Sequence, residues 1–125
     1  MSEASRQVIL SRIGPDHTYQ DIWSLQTHLQ QKLIRAKRSG ISDHPGYVLL
    51  VEHAPVYTIG KSGSMDHLRI SQSQLESEEI EFFKINRGGD ITYHGPGQIT
   101  GYLILDLDQY YHDLHRYVRD IEEVI

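Results

Sequence analysis

The sequence predicts an α/β domain, because strand-like and helix-like periodicities alternate along one short chain. Compact β-branched and apolar runs stand at 7–13, 47–53, 56–59, 80–85 and 102–107. Apolar residues recur every three or four positions between Asp16 and Arg38, and again after Asp108. A length of 125 residues with 38% hydrophobic side chains fits one modest domain with a core of its own.

Each element follows from its residues. Val8, Ile9, Leu10 and Ile13 form an opening strand, closed by Gly14 and Pro15. Tyr19, Ile22, Leu25, Leu29, Leu33 and Ala36 then mark one face of a helix of five or six turns, widened by Trp23 and Ile34, with Asp16 or Thr18 as its cap. Lys32, Arg35, Lys37 and Arg38 lie in its last turns, where cations favour the carbonyl end of the dipole and a solvated helix end is expected. A glycine- and proline-containing loop at 39–46 leads into the buried strand 47–53. The polar stretch 71–79 reads as a short surface helix or loop before the strand at 80–85. After the strand at 102–107, a last helix runs through Tyr110, Leu114, Tyr117, Val118, Ile121, Val124 and Ile125, with no capping residue of its own at its end.

Composition excludes several classes. With 12 basic and 17 acidic side chains the net charge is −5, which disfavours nonspecific nucleic-acid binding. No apolar run approaches the roughly 20 residues that span a bilayer, so no membrane partner is expected. The first residues show no basic patch followed by an apolar stretch, and a cytoplasmic location is the expectation. The absence of cysteine removes disulfides, thiolate metal sites and thiol nucleophiles from this chain.

Two segments carry chemistry. Residues 58–62 end like a phosphate loop, but Pro55 stands where that motif requires its first glycine, so a mobile loop over the site is the better reading. Glu52 and His53, next to Ala54 and Pro55, suit a hydrogen-bonded strand end. Residues 86–101 hold five of the ten glycines, the most permissive backbone in the chain. Within them Arg87 offers a permanent cation beside Gly88 and Gly89, whose amides can approach a polarised carbonyl, carboxylate or phosphate. Thr92, Tyr93 and His94 alternate on a strand, the turn at 95–97 fixes the imidazole, and Gln98 adds an amide donor.

The string 87–98, with 52–60 upstream, resembles the lipoyl(octanoyl) transferase family: an arginine, two glycines, then threonine, an aromatic and His-Gly-Pro-Gly-Gln, all present from Arg87 to Gln98. The resemblance implies a mixed sheet flanked by helices, akin to biotin and lipoate protein ligases. It implies transfer of an octanoyl group from acyl carrier protein to a lysine of lipoyl domains in 2-oxoacid dehydrogenases and in the glycine cleavage H protein, as part of lipoate biosynthesis. No cofactor or metal ion is implied. Arg87, Gly88, Gly89, Asp90, Ile91, Thr92, Tyr93 and His94 are the substrate-binding residues carried over.

The family's nucleophile is a cysteine, helped by a lysine, both in a C-terminal part that nothing here matches. Residues 1–125 are therefore expected to be the N-terminal part of a single, apparently truncated catalytic domain, inactive alone for want of a cysteine. Such a chain is expected to expose strand edges and apolar faces and to associate. Two alternatives stay open: a non-catalytic octanoyl- or lipoyl-binding module, and an ATP-dependent lipoate or biotin ligase, whose glycine motif carries an extra serine and glycine.

Overall fold

A computed structural model describes residues 7–41, 44–64, 70–86, 88–110 and 112–125. In chain order the elements are β1 (Val8–Ile13), α1 (Tyr19–Arg38), β2 (Gly46–Glu52), β3 (Val56–Ile59), α2 (Gln72–Ser77), β4 (Glu81–Lys84), β5 (Ile91–His94), β6 (Ile99–Ile104) and α3 (Leu114–Val124). They build two three-stranded sheets, ordered β1-β2-β6 and β4-β3-β5. Each sheet is mixed, with its central strand parallel to one neighbour and antiparallel to the other.

The sheets are joined by one bent ribbon. β2 and β6 run antiparallel up to the pair Glu52 and Ile99, and β3 and β5 resume the pairing at Val56 and His94. Three residues, 53–55, thus face four, 95–98. That unequal count forces a bulge, which bends the ribbon out of a single plane. Pro55 suits the bend because it has no amide to leave unpaired, and its carbonyl accepts from Glu81 N at 3.1 Å.

α1 begins where Thr18 closes a capping box with Asp21; of the two caps expected, Thr18 is the one used. Ile22 packs with Leu49 and Val51, joined by Ile13, Leu25, Leu29, Tyr102 and Ile104, so α1 lays its apolar stripe on one face of the β1-β2-β6 sheet. The opposite face carries Leu10, Ile99 and Leu103, all exposed. Between that face and α3 lies a cavity of about 590 Å³ whose lining includes Val48, Leu50, Leu103, Tyr117, Ile121 and Val124. No helix among the described residues is long and apolar enough to cross a membrane.

Three boundaries differ from the sequence reading. The strand expected at 102–107 spans Ile99–Ile104, because Asp106 turns the chain: its side chain accepts from Asp108 N at 3.0 Å and caps a 3-10 turn at Leu107–Gln109. The last helix starts at Leu114, capped by Asp113, rather than at Tyr110. The polar stretch 71–79 is helical only at Gln72–Ser77, where Ser71 and Gln74 form a second capping box and Leu75 is buried.

Lys37 also departs from its expected solvated role. It donates to Asp106 at 2.9 Å and pairs with Asp108, which holds its ammonium above the ordinary lysine value, through Asp108 first and then Asp106. Asp106 further meets His44 Nε2 at 3.0 Å, while His44 Nδ1 lies 2.7 Å from the Ile41 carbonyl. Burial pushes the Asp106 carboxyl up, but the hydrogen bonds from Lys37, the Asp108 amide and His44 outweigh it, and the net shift is downward.

Candidate functional site

At the bend of the ribbon His53 and His94, both singled out in the sequence, meet. His53 leaves the end of β2 into the interior, 1% exposed. Its ring packs on Tyr19 at 5.2 Å and His94 at 5.6 Å, and stands edge-on to Tyr102 at 5.8 Å. His53 Nε2 and the Tyr102 hydroxyl share a hydrogen bond of 2.7 Å, and the buried Nδ1 has no partner among the described residues. Burial, followed by the neighbouring His94, lowers the His53 pKa, so the ring is neutral at pH 7. Burial also raises the Tyr102 phenol, with Tyr19 adding to it. Tyr102 therefore keeps its proton.

His94 closes β5 and is oriented from the turn that follows. Its Nδ1 donates to Gln98 Oε1 at 2.9 Å, with Thr100 Oγ1 at 3.4 Å, so the neutral form of the ring carries its lone pair on Nε2. Gln98 thus serves through its amide oxygen, where the sequence suggested a donor. The turn is held from across the bend, as Gly97 N donates to Glu52 Oε1 at 2.8 Å. Gly97 has φ +89°, a conformation that favours glycine. At Gly95 a Cβ would fall 2.3 Å from the Tyr93 hydroxyl oxygen, so the Tyr93 ring lies over Gly95 and would have to shift to admit a side chain there. Glu52 and His53, read as a hydrogen-bonded strand end, are that, and they also brace the site.

The glycine segment is fastened to the loop after β3. Gly60 N donates to the Asp90 carbonyl at 2.8 Å, Ser64 N to Asp90 Oδ1 at 3.0 Å, and Ser62 Oγ to the Gly89 carbonyl at 3.0 Å. The loop at 60–64 therefore lies beside the segment, and the Asp90 carboxylate acts as its clamp. Gly88 and Gly89 are exposed, Ile91 is half-buried, and Thr92 and Tyr93 face outward on β5. Tyr93 stacks on its register partner Tyr57 at 5.2 Å. Arg87 lies outside the described residues. Gly88 through His94 are thus brought to one strand and its lead-in loop, and only His94 reaches the buried cluster.

Sequence reasoning missed Tyr19, Trp23 and Phe83, which continue the aromatic cluster away from His53. Tyr19 lies 5.0 Å from Phe83, and Trp23 6.4 Å from Phe83. Tyr19 N also donates to Glu81 Oε1 at 2.9 Å, tying the start of α1 to β4. Their positions in the helical stripe and in a strand were legible, but their meeting depends on how the two sheets pack.

The chain is 50% identical to an octanoyltransferase of Flavobacterium psychrophilum, over 86% of its own length and 48% of that protein's. It is 45% identical to the octanoyltransferase of Flavobacterium johnsoniae (95% of this chain, 53% of that one) and 44% identical to that of Parabacteroides distasonis (98% and 53%). The chain thus spans about half the length of the curated relatives it matches. A solved structure, P. falciparum LipL1 in complex with lipoate, has a similar fold, with a TM-score of 0.55 at 14% identity over 77% of this chain and 30% of that one. The family described as the lipoyl protein ligase A/B catalytic domain matches residues 18–125, a span that takes in the bent ribbon, the glycine segment and every residue of the aromatic cluster, and the chain belongs to that family.

Proposed function

We propose that this chain is the acyl-binding part of an octanoyltransferase catalytic domain acting in protein lipoylation, taking octanoyl from acyl carrier protein and delivering it to a lysine of lipoyl domains, including those of 2-oxoacid dehydrogenases and the glycine cleavage H protein. One observation carries the reading. His94, its ring set by Gln98 and backed by buried His53, closes the strand Ile91–His94 that the glycine pair Gly88 and Gly89 leads into. Backbone amides at such a pair suit a polarised thioester carbonyl, and the lone pair on His94 Nε2 suits the proton of an attacking thiol or amine.

In this reading a thiolate attacks the octanoyl thioester, the carrier thiol leaves, and the lysine amine then displaces the thiolate to form the amide. The chain contains no cysteine, so residues 1–125 bind the acyl group and a nucleophile from elsewhere completes the transfer. Burial of methylenes at about 0.8 kcal/mol each supplies much of the affinity for an eight-carbon chain.

Calorimetry with octanoate tests the proposal. The purified chain is expected to bind octanoate saturably, His94→Ala to weaken binding about tenfold through loss of roughly 50 Å² of ring surface against the acyl chain, at about 25 cal/mol per Å², and the chain to transfer no octanoyl by itself. Absence of octanoate binding, or adenylate formation from ATP and lipoate, would overturn the reading.

A further inference from the structure

Glu52 and His53 are consecutive, and both act on the end of β5, by different means. His53 is buried and packs its ring on the His94 ring, with the centroids 5.6 Å apart. Glu52 is half-buried at the end of β2, where it pairs with Ile99 of β6. Its carboxylate spans the bend and accepts from Gly97 N at 2.8 Å. The turn is closed within itself by Gln98 N, which donates to the Gly95 carbonyl at 3.1 Å. Gln98 Oε1 then accepts from His94 Nδ1 at 2.9 Å. The Glu52 carboxylate and the His94 imidazole are thus connected through one short turn, with a hydrogen bond at each end.

We infer that Glu52 is a positioning residue for His94: by holding Gly97 it keeps the Gln98 amide oxygen against Nδ1, and so sets which ring nitrogen carries the proton. Two glycines among the four residues 95–98 leave the turn little stiffness of its own, and Gly97 sits at φ +89°. An outside hold is what fixes such a turn, and a carboxylate gives a stronger one than a neutral side chain, because its bond to an amide is charge-assisted. With Nδ1 engaged as donor, the neutral ring offers a lone pair at Nε2. When the turn is released, Gln98 no longer selects that tautomer. The consequence for octanoate rests on the functional reading above; the consequence for the ring does not.

Nitrogen-15 NMR of the imidazoles reads each histidine tautomer directly, at about pH 8, above the ordinary imidazole range, with the His94 signals assigned from His94→Ala. In the unmodified 125-residue chain His94 is expected in the Nδ1–H form. Glu52→Ala is expected to move its tautomer ratio toward Nε2–H by about fivefold, the scale of one hydrogen bond. Glu52→Gln keeps an acceptor oxygen for Gly97 N and is expected to restore most of the unmodified ratio. His44 lies before the other end of β2, held by Asp106 and the Ile41 carbonyl, and is expected to keep its tautomer in every variant, which separates a released turn from a loosened fold. Should Glu52→Ala fail to fold, Glu52→Asp carries the same expectation, since one methylene fewer draws the carboxylate back from Gly97. An Nε2–H ring in the unmodified chain, an unchanged His94 ratio in the folded variant, or a change that reaches His44 equally overturns the inference. Octanoate calorimetry is read separately: Glu52→Ala is expected to weaken binding by no more than the about tenfold expected of His94→Ala. Absence of octanoate binding in the unmodified chain would strike the functional reading and leave the positioning role standing.

Discussion

Asp106→Ala is expected to destabilise the protein by about 3 kcal/mol, the cost of removing one partner from a buried, charged network. Asp106 is 6% exposed and His44 8%, and the variant strips the carboxylate from His44, from the Asp108 amide and from Lys37 in one step. The exposed Lys37 loses little, since it keeps Asp108 and water; the buried imidazole and the capped turn carry the effect. Urea denaturation measures it, and a loss below about 1 kcal/mol, the scale of a surface pair, would remove the network from the account. The pH dependence has a definite sign. Asp106 holds its carboxyl below the ordinary 3.8 when folded, so on acidification the unfolded chain takes up the proton first. Its contribution is complete above about pH 4 and is lost as pH falls through the folded value. In Asp106→Ala that part of the acid transition is flattened.

His53→Ala is expected to cost about 3 kcal/mol, the range for emptying a fully buried ring site, and to weaken octanoate binding by no more than the about tenfold expected of His94→Ala, because His94 loses the ring behind it. His53→Phe separates shape from polarity. Phenylalanine keeps the packing on Tyr19 and His94, gives up the Tyr102 hydrogen bond, and removes a buried nitrogen that has no partner among the described residues. Its cost is expected to stay within about 1.5 kcal/mol. The His53 pKa is lowered on folding from its ordinary 6.5, so below about pH 6.5 the unfolded chain binds more protons and stability declines with acidification. That decline is expected to be shallower in His53→Phe than in the unmodified chain. Denaturation curves across this pH range give the comparison, and equal slopes would mean that His53 is not held neutral.

The elements whose structure follows from local chemistry were legible. α1 could be read to within a few residues because its stripe is periodic and Thr18 with Asp21 closes a capping box. β2 was legible as an uninterrupted apolar run from Tyr47 to Val51 with two β-branched valines, and the glycine-rich segment as the place where the backbone itself makes contacts. The departures have tertiary causes. Leu105 and Leu107 read as strand, yet Asp106 between them is claimed by Lys37 and His44 from α1 and the loop after it. Ile99 and Thr100 follow a turn and show little alternation of their own, and they join β6 because Glu52 and Val51 pair with them. The division into two sheets depends on three residues facing four across the bend, a count that appears only once both strands are in register. At the site, the motifs named His53 and His94 separately, while their contact and the aromatic cluster reaching to Tyr19 and Phe83 arise from packing.

The central claim is that octanoyl sits against the glycine segment and His94, and a rival apolar space of about 590 Å³ exists between α3 and the outer face of the β1-β2-β6 sheet. Isotope-filtered NMR on the chain with labelled octanoate tests that claim most directly, since contacts between ligand methylenes and protein protons locate the acyl chain. Contacts to Gly89, Tyr93 and His94 are the predicted result. Contacts confined to Leu50, Leu103 and Ile121 would contradict it and place the acyl chain under α3.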